Sequence, residues 1–445
     1  MHALTFAPHC SFLPNRRAAL RRAEQINPDL YARTRNYVDG AVTGLSPWIT
    51  HGFLNLPEVT QLIDARHKLS FDDKLVFEFG WREFFLHVHG HLGQGILKDV
   101  RRPVWSGHYS QEMPSDVVEG RTGIAPIDFG IEQLYTTGYI HNHVRMWIAS
   151  YLVHLRKVHW RVGADWMYGH LLDGDLASNH LSWQWVAGTF SHKPYVFNAE
   201  NVAKFARNCR CEGTALDCGY EDLEALARSR KDVGPEPGAP KAGLIVPGWV
   251  DTRPESLAAV IKGNSNLMVH VLEHAGALDV AMQALTLATQ ETKRVVWVHP
   301  WDLGRCETET DAVRIGLIDA AFHDAHPWND LRWSFVVQAM RQHCDAVWVV
   351  NSAKPASLSA CRKALEQLSR AQDCSHEMLS TLNPGYNTLP VLLNLTEIPQ
   401  PRLLPEPSSF QASFSRFYRE ACLLAGDLES LLGATEGDGA RDGWA

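Results

Sequence analysis

From Phe12 to about Phe205 the apolar residues recur at intervals of three and four, with almost no strict alternation. The runs LVFEFGWREFFLHVHGHL (residues 75–92) and VRMWIASYLVHL (144–155) show this most clearly. The pattern predicts a multi-helical domain over residues 1–227. The stretch RSRKDVGPEPGAPKAG (228–243) concentrates Pro, Gly and charge, which predicts a linker over 228–242. Short β-branched runs follow: GLIVPGW (243–249), LMVHVL (267–272), RVVWVH (294–299) and DAVWVV (345–350). Helix-like segments such as GALDVAMQALTLAT (276–289) separate them. Buried strands alternating with helices predict a smaller, parallel-sheet α/β domain of Rossmann-like type over 243–398. No Gly-rich dinucleotide fingerprint or phosphate loop accompanies the strands, so they name no ligand. Residues 399–445 read as a C-terminal segment: a Pro-rich connection (PQPRLLPEPSS, 399–409), a helix near 411–432 and a disordered tail.

Composition narrows the class. A chain of 445 residues exceeds one compact core, and 45% apolar with 21% charged residues is ordinary for a globular protein. No apolar stretch is long enough to span a bilayer, and MHALTFAPHC lacks a basic region followed by a hydrophobic run, so a cytoplasmic protein without membrane partners is expected. Nine scattered cysteines suit free thiols in a reducing compartment. The net charge of -8 divides unevenly: residues 1–210 hold 22 Lys+Arg against 19 Asp+Glu, leaving 20 against 31 for the remainder. The first half can therefore carry a basic face toward nucleic acid.

Three constellations carry candidate chemistry. Glu78, Trp81 and Arg82 fall at i, i+3 and i+4, one side of a helix, where they can hydrogen-bond and stack on a base. Taken alone, they suit a surface salt bridge between Glu78 and Arg82 beside a core Trp better than a ligand. Asn142, Arg145 and Met146 share a face of a strongly apolar helix, where polar groups are costly without partners. The neighbouring His141 and His143 point apart at i, i+2, which argues against a metal. Asp175, as the cap of a helix, would put Asn179 and Trp183 on its own face at i+4 and i+8, with Asp173 placed to pair with Arg145. An ordinary capped amphipathic helix with core tryptophans accounts for that last pattern as well. Jointly the three describe a polar-edged, aromatic-lined pocket between helices.

The run IDFGIEQLYTTGYIHNHVRMWIASYLVHLRKVHWRVGADWMYGHLLDGDLASNHLSWQWVAGT, preceded by YARTRNYVDGAVTGLSPWITHG and LVFEFGWREFF, resembles the flavin-binding core of the DNA photolyase and cryptochrome family over roughly residues 12–206. The resemblance implies FAD within an all-helical domain. Tyr31 and the VTGLS loop (Thr43, Gly44, Leu45, Ser46) would hold its phosphates. Asn142, Arg145, Asp173, Asp175 and Asn179 would surround the isoalloxazine, with Asn179 near N5 and Arg82 beside the site. The implied activity is light-driven electron transfer from reduced FAD to a cyclobutane pyrimidine dimer in DNA. Glu78 would hydrogen-bond the dimer and stabilise its radical anion. Asn142, His143 and Met146 would contact it, Trp81 and Trp185 would wall its pocket, and Arg35 would meet the DNA backbone. Trp183 and Trp160 match the inner positions of a tryptophan chain for photoreduction. Val117 stands where the third would be, with Trp105, Trp147 or a tyrosine as substitutes.

Several features depart from that pattern. The α/β half follows the helical half instead of preceding it, and reads first as a relocated antenna domain, second as a partner-binding module and third as something unrelated, with the antenna pigment unnamed. His143 replaces a common Arg. Cys209, Cys211 and Cys218 at C-x-C-x6-C spacing do not make a four-cysteine cluster set, and free thiols are expected. His87, His89 and His91 read as a solvated helix edge, and no metal is expected. The alternative to repair is a cryptochrome-like blue-light receptor signalling through the acidic C-terminal half. A flavin-binding remnant with structural duties is a third reading.

Overall fold

A computed structural model describes residues 12–236, 239, 241–272, 294–372, 375–379 and 389–439. The first half is helical, as the three-and-four spacing predicts. The helices that matter most are Pro28–Thr34, Ser46–Thr50, Lys74–Leu92, Asn142–Ser150, Trp160–His170 and Leu176–Ala187. Side-chain caps set several starts. Asn27 accepts from the Leu30 amide at 2.9 Å, Asn55 forms a capping box with Glu58, and Asp175 accepts from the Ser178 amide at 2.7 Å. The Asn142–Ser150 helix runs on into a π-helical turn, Tyr151–Leu155.

The second half holds six parallel strands: β1 (Met268–Val271), β2 (Arg294–Val298), β3 (Val313–Asp319), β4 (Ala346–Val350), β5 (Ser375–Leu379) and β6 (Thr396–Ile398). Their order is β1-β4-β3-β2-β5-β6. Register places Val295 beside Val313 and Ile315 beside Ala346. From β2 onward the order is that of a doubly wound sheet, with its switch point between β2 and β5. β2 and β4 are buried almost throughout, the mark of a sheet covered on both faces.

Some expectations need correction. GLIVPGW (243–249) is not a strand. Pro247 lacks a ladder donor, Ile245 is 94% exposed, and the segment instead straps the helical domain, with the Leu244 amide bonded to Glu119 O at 2.7 Å and Trp249 packed on His170. β3, β5 and β6 were not predicted. The expected helix at 276–289 lies outside the described residues. The C-terminal helix is two, Phe414–Ala425 and Leu428–Gly439, broken at Gly426 (φ 79°), so residues 433–439 are helical where a disordered tail was expected. His87 and His89 are buried and make no solvated edge. His87 Nδ1 meets Glu406 and its Nε2 accepts from the Gln411 amide, tying the C-terminal segment to the Lys74–Leu92 helix. With Nε2 spent as an acceptor, Nδ1 must carry the proton, and the ring has no lone pair left for a metal.

The switch-point end of the sheet abuts the helical domain. The Leu303 and Gly304 amides bond to His51 O and Gly52 O, and His51 lies between Pro300 O (2.6 Å) and Leu172 O (2.8 Å). Gly52 has φ +68°, and a Cβ there would sit 2.4 Å from Trp301 O, so only glycine allows this approach. Among the described residues no helix is long and apolar enough to cross a membrane.

Candidate functional site

The helices converge on a cavity of about 650 Å³. Asn142, Arg145 and Met146 line it from one helix, and Asp175, Asn179, Trp183 and Trp185 from another. Glu78, Trp81 and Arg82 line it from a third, and Tyr31, Arg35, Thr43 and Ser46 close the remaining side together with Asp173. The spacing on each helix aims these side chains inward, because residues three and four apart stack on one face.

Charge is arranged in pairs. Asp173, nearly buried, receives Arg145 Nη2 at 2.7 and 3.0 Å, while Arg145 Nε bonds to Ile140 O. Burial pushes the Asp175 carboxyl up, but the Arg82 guanidinium and the hydrogen bonds from Ser178 outweigh it and hold the pKa below the ordinary carboxylate value. Asp175 is therefore charged at neutral pH. Arg82 itself donates to Thr50 Oγ1 at 3.2 Å. Asn179 spends its amide NH2 on Ala164 O at 2.9 Å, which leaves its carbonyl oxygen to accept from a ligand. Asn142 is held by Met146 Sδ at 3.8 Å.

At the cavity's edge Glu78 meets Lys74 Nζ at 2.8 Å and Arg35 Nε at 3.4 Å. Trp81 packs flat on Phe414 of the C-terminal helix, and Trp185 is 37% exposed beside Tyr195. The loop before the Ser46–Thr50 helix is fixed by Arg22, which donates to Thr43 O at 2.6 Å and Val42 O at 2.7 Å. Gly44 has φ +60°, a left-handed turn that glycine adopts at little cost. Gly44 lines a second cavity of about 240 Å³ that shares Tyr31 and Tyr139 with the first, and Leu45 is buried in the core.

Two further candidates lie off the main cavity, as Gly44 and Leu45 do. His143 is turned toward Asn36 O (2.8 Å) and packs on Phe205 and Trp147. Trp160 is buried with Nε1 donating to Asp99 at 2.6 Å. Beyond it, His159, Tyr109 and Trp105 are in successive ring contact. Val117 and Trp147 are fully buried. Burial raises the thiols of Cys209 to about 11 and Cys211 to about 12, the behaviour of inert thiols. The sequence did not single out Tyr139, Phe79, Phe85 or Met167, which also line the cavity. Tyr139 lies 5.5 Å from the Arg145 guanidinium, a cation–π distance that no local spacing encodes.

Paired guanidiniums and carboxylates, two amides and an aromatic wall suit a large, flat ligand with a polar edge and an anionic tail, and FAD has that chemistry. Residues 75–215 match the family described as the FAD binding domain of DNA photolyase. The chain is 28% identical over 226 residues to cryptochrome DASH, chloroplastic/mitochondrial, of Oryza sativa subsp. japonica, covering 49% of this chain and 38% of that protein. It is 30% identical over 187 residues to the deoxyribodipyrimidine photo-lyase of a Synechococcus species (39% and 38%), and 29% identical over 233 residues to that of Agrobacterium fabrum (47% and 48%). A solved bacterial class III photolyase from Agrobacterium tumefaciens matches at 26% identity over 51% of this chain and 53% of its own, with a TM-score of 0.42. Residues 75–215 of the helical half thus match the FAD-binding domain of DNA photolyase, and these relatives are photolyases and a cryptochrome DASH. The match spans about two fifths of the length of the first two curated relatives.

Proposed function

We propose that the chain binds FAD in the 650 Å³ cavity and splits cyclobutane pyrimidine dimers in DNA under light. The convergence of Asn142, Arg145, Asp175 and Asn179 from two different helices on one cavity carries this reading. When bound and reduced, FAD would supply the light-driven loan of an electron to the dimer and take it back once the cyclobutane bonds have opened.

The chain's own part is binding, orientation and electrostatics. Asp173 and Asp175 would face the flavin ring with Arg145 and Arg82 balancing their charge, and Asn179 would accept a ring N–H. Tyr31, Thr43 and Ser46, with Gly44 and Leu45 shaping the turn, would hold the phosphates. Glu78 would hydrogen-bond the lesion, poised by Lys74 and Arg35, while Asn142 and Met146 touch it and Trp81 and Trp185 stack against its bases. Trp183 on the cavity wall and Trp160 behind it would form the inner part of a relay for reducing equivalents. Reduced, illuminated protein should restore oligonucleotides carrying defined dimers. Glu78→Ala should abolish repair while keeping the flavin spectrum, and persistent dimers with the fully reduced wild type would remove the enzyme reading.

A second reading, a blue-light receptor, draws on the stacking of Phe414 over Trp81, which links the cavity wall to the C-terminal segment. A light-dependent change in oligomeric state or partner binding, without dimer repair, would select it.

A further inference from the structure

Arg332 belongs to the α/β domain, on the helix Asp330–His343, yet its side chain is fully buried against the helical domain. It donates from Nη1 to Tyr168 O at 2.8 Å and from Nη2 to Gly174 O at 2.5 Å. Its guanidinium lies 3.9 Å from the centroid of the Trp328 ring and 4.7 Å from that of the Tyr168 ring, both within cation–π range. Gly174 stands between Asp173 and Asp175, and a Cβ there would come within 2.4 Å of Arg332 Nη1 and 2.5 Å of Tyr168 O, so the glycine lets the loop close on both. Electrostatic attraction reaches Arg332 from both Asp173 and Asp175.

We infer that Arg332 is a positioning residue for the flavin site, a third cation bracing the Asp173–Gly174–Asp175 loop from behind while Arg145 and Arg82 hold its carboxylates from the cavity side. The inference rests on reading the cavity as the FAD site. Two consequences follow from the chemistry. The paired carbonyl contacts fix where the loop presents its carboxylates, because a guanidinium donates to the two backbone segments from one rigid plane, whereas a flexible ammonium holds no fixed geometry between them. The buried positive charge offsets part of the carboxylate charge beside the flavin, in surroundings where screening by water is weak. The α/β domain then contributes to the flavin site without touching the ligand.

Three full-length chains test this: wild type, Arg332→Lys and Arg332→Met, each followed by FAD release on dilution, flavin midpoint potential and thermal unfolding. Arg332→Met should weaken FAD binding by about tenfold, from loss of charge-assisted hydrogen bonds. It should also shift the potential negative, since reduction adds negative charge to a site that has lost a cation. Arg332→Lys should keep the potential near wild type while still weakening retention, a split that a merely structural brace would not give. FAD affinity and potential both unchanged in a folded Arg332→Met would overturn the inference. If that variant does not fold, unchanged retention in folded Arg332→Lys overturns it equally. A wild-type chain that retains no FAD would remove the flavin reading itself, and the inference with it.

Discussion

Trp81 and Phe414 lie face to face, ring centroids 3.9 Å apart and planes 10° from parallel, although 333 residues separate them in the chain. One face of Trp81 is therefore committed to the C-terminal helix, while the residue also lines the cavity. Tyr418 adds to the clasp: it donates to Phe71 O at 2.7 Å and lies over Gly80, where a Cβ would meet its ring at 2.6 Å. Glu83, buried, accepts from Arg402 and from the Leu403 amide. The C-terminal segment is thus a working part of the helix that bears Glu78, Trp81 and Arg82.

Phe414→Leu should destabilise the protein by about 1 kcal/mol, the worth of an aromatic pair beyond its area, and Phe414→Ala by about 3 kcal/mol through the cavity it leaves. Urea unfolding measures both. The intrinsic fluorescence of Trp81 should change in either variant, and an unchanged spectrum would mean the stack does not persist in solution.

Removing Arg145 strands Asp173. Because the Asp173 side chain is only 3% exposed, Arg145→Met should cost about 3 kcal/mol, mostly from an uncompensated buried carboxylate. Adding Asp173→Asn should recover part of that cost. A double-mutant cycle with additive losses would show that the pair is not coupled.

Asp175 sets a pH dependence. Its folded pKa lies below the ordinary Asp value of about 3.9, so the unfolded chain binds its proton first. Its contribution to stability is fully present above that ordinary value and is lost as pH falls through the lower, folded pKa. Asp175→Asn keeps a competent helix cap but removes the titration. Wild type should therefore exceed the variant in stability at neutral pH, with the difference shrinking below about pH 4. Parallel stability curves across the acid range would contradict this.

Gly163 gives Trp183 its place on the cavity wall, since a Cβ there would lie 2.4 Å from the indole ring. Gly163→Ala should cost about 1–3 kcal/mol by overpacking despite the better helix propensity of Ala. It should also displace Trp183, read as altered quenching of flavin fluorescence. A stabilised variant with unaltered quenching would show that the ring has room to spare.

The amino-acid sequence alone determined what lies within a few turns of one helix. The 3.6-residue period sets Asn142, Arg145 and Met146 on one face and Asp175, Asn179 and Trp183 on another, and the chemistry of a capping carboxylate makes Asp175 legible as a helix start. The Arg145–Asp173 pair was also legible, because two opposite charges on apolar segments each need a partner. Tertiary structure decided the rest. β3 and β5 escaped notice because charged or polar residues such as Arg314 and His376 interrupt runs that only pairing with β2 makes into strands. His143 was read as facing the ligand, yet neighbours from elsewhere in the chain turn it onto Phe205. Phe414 over Trp81 and Arg332 behind Gly174 join residues 333 and 158 positions apart. Contacts of that reach leave no periodicity to read, since they arise only when whole elements dock and bury surfaces whose partners local geometry does not specify.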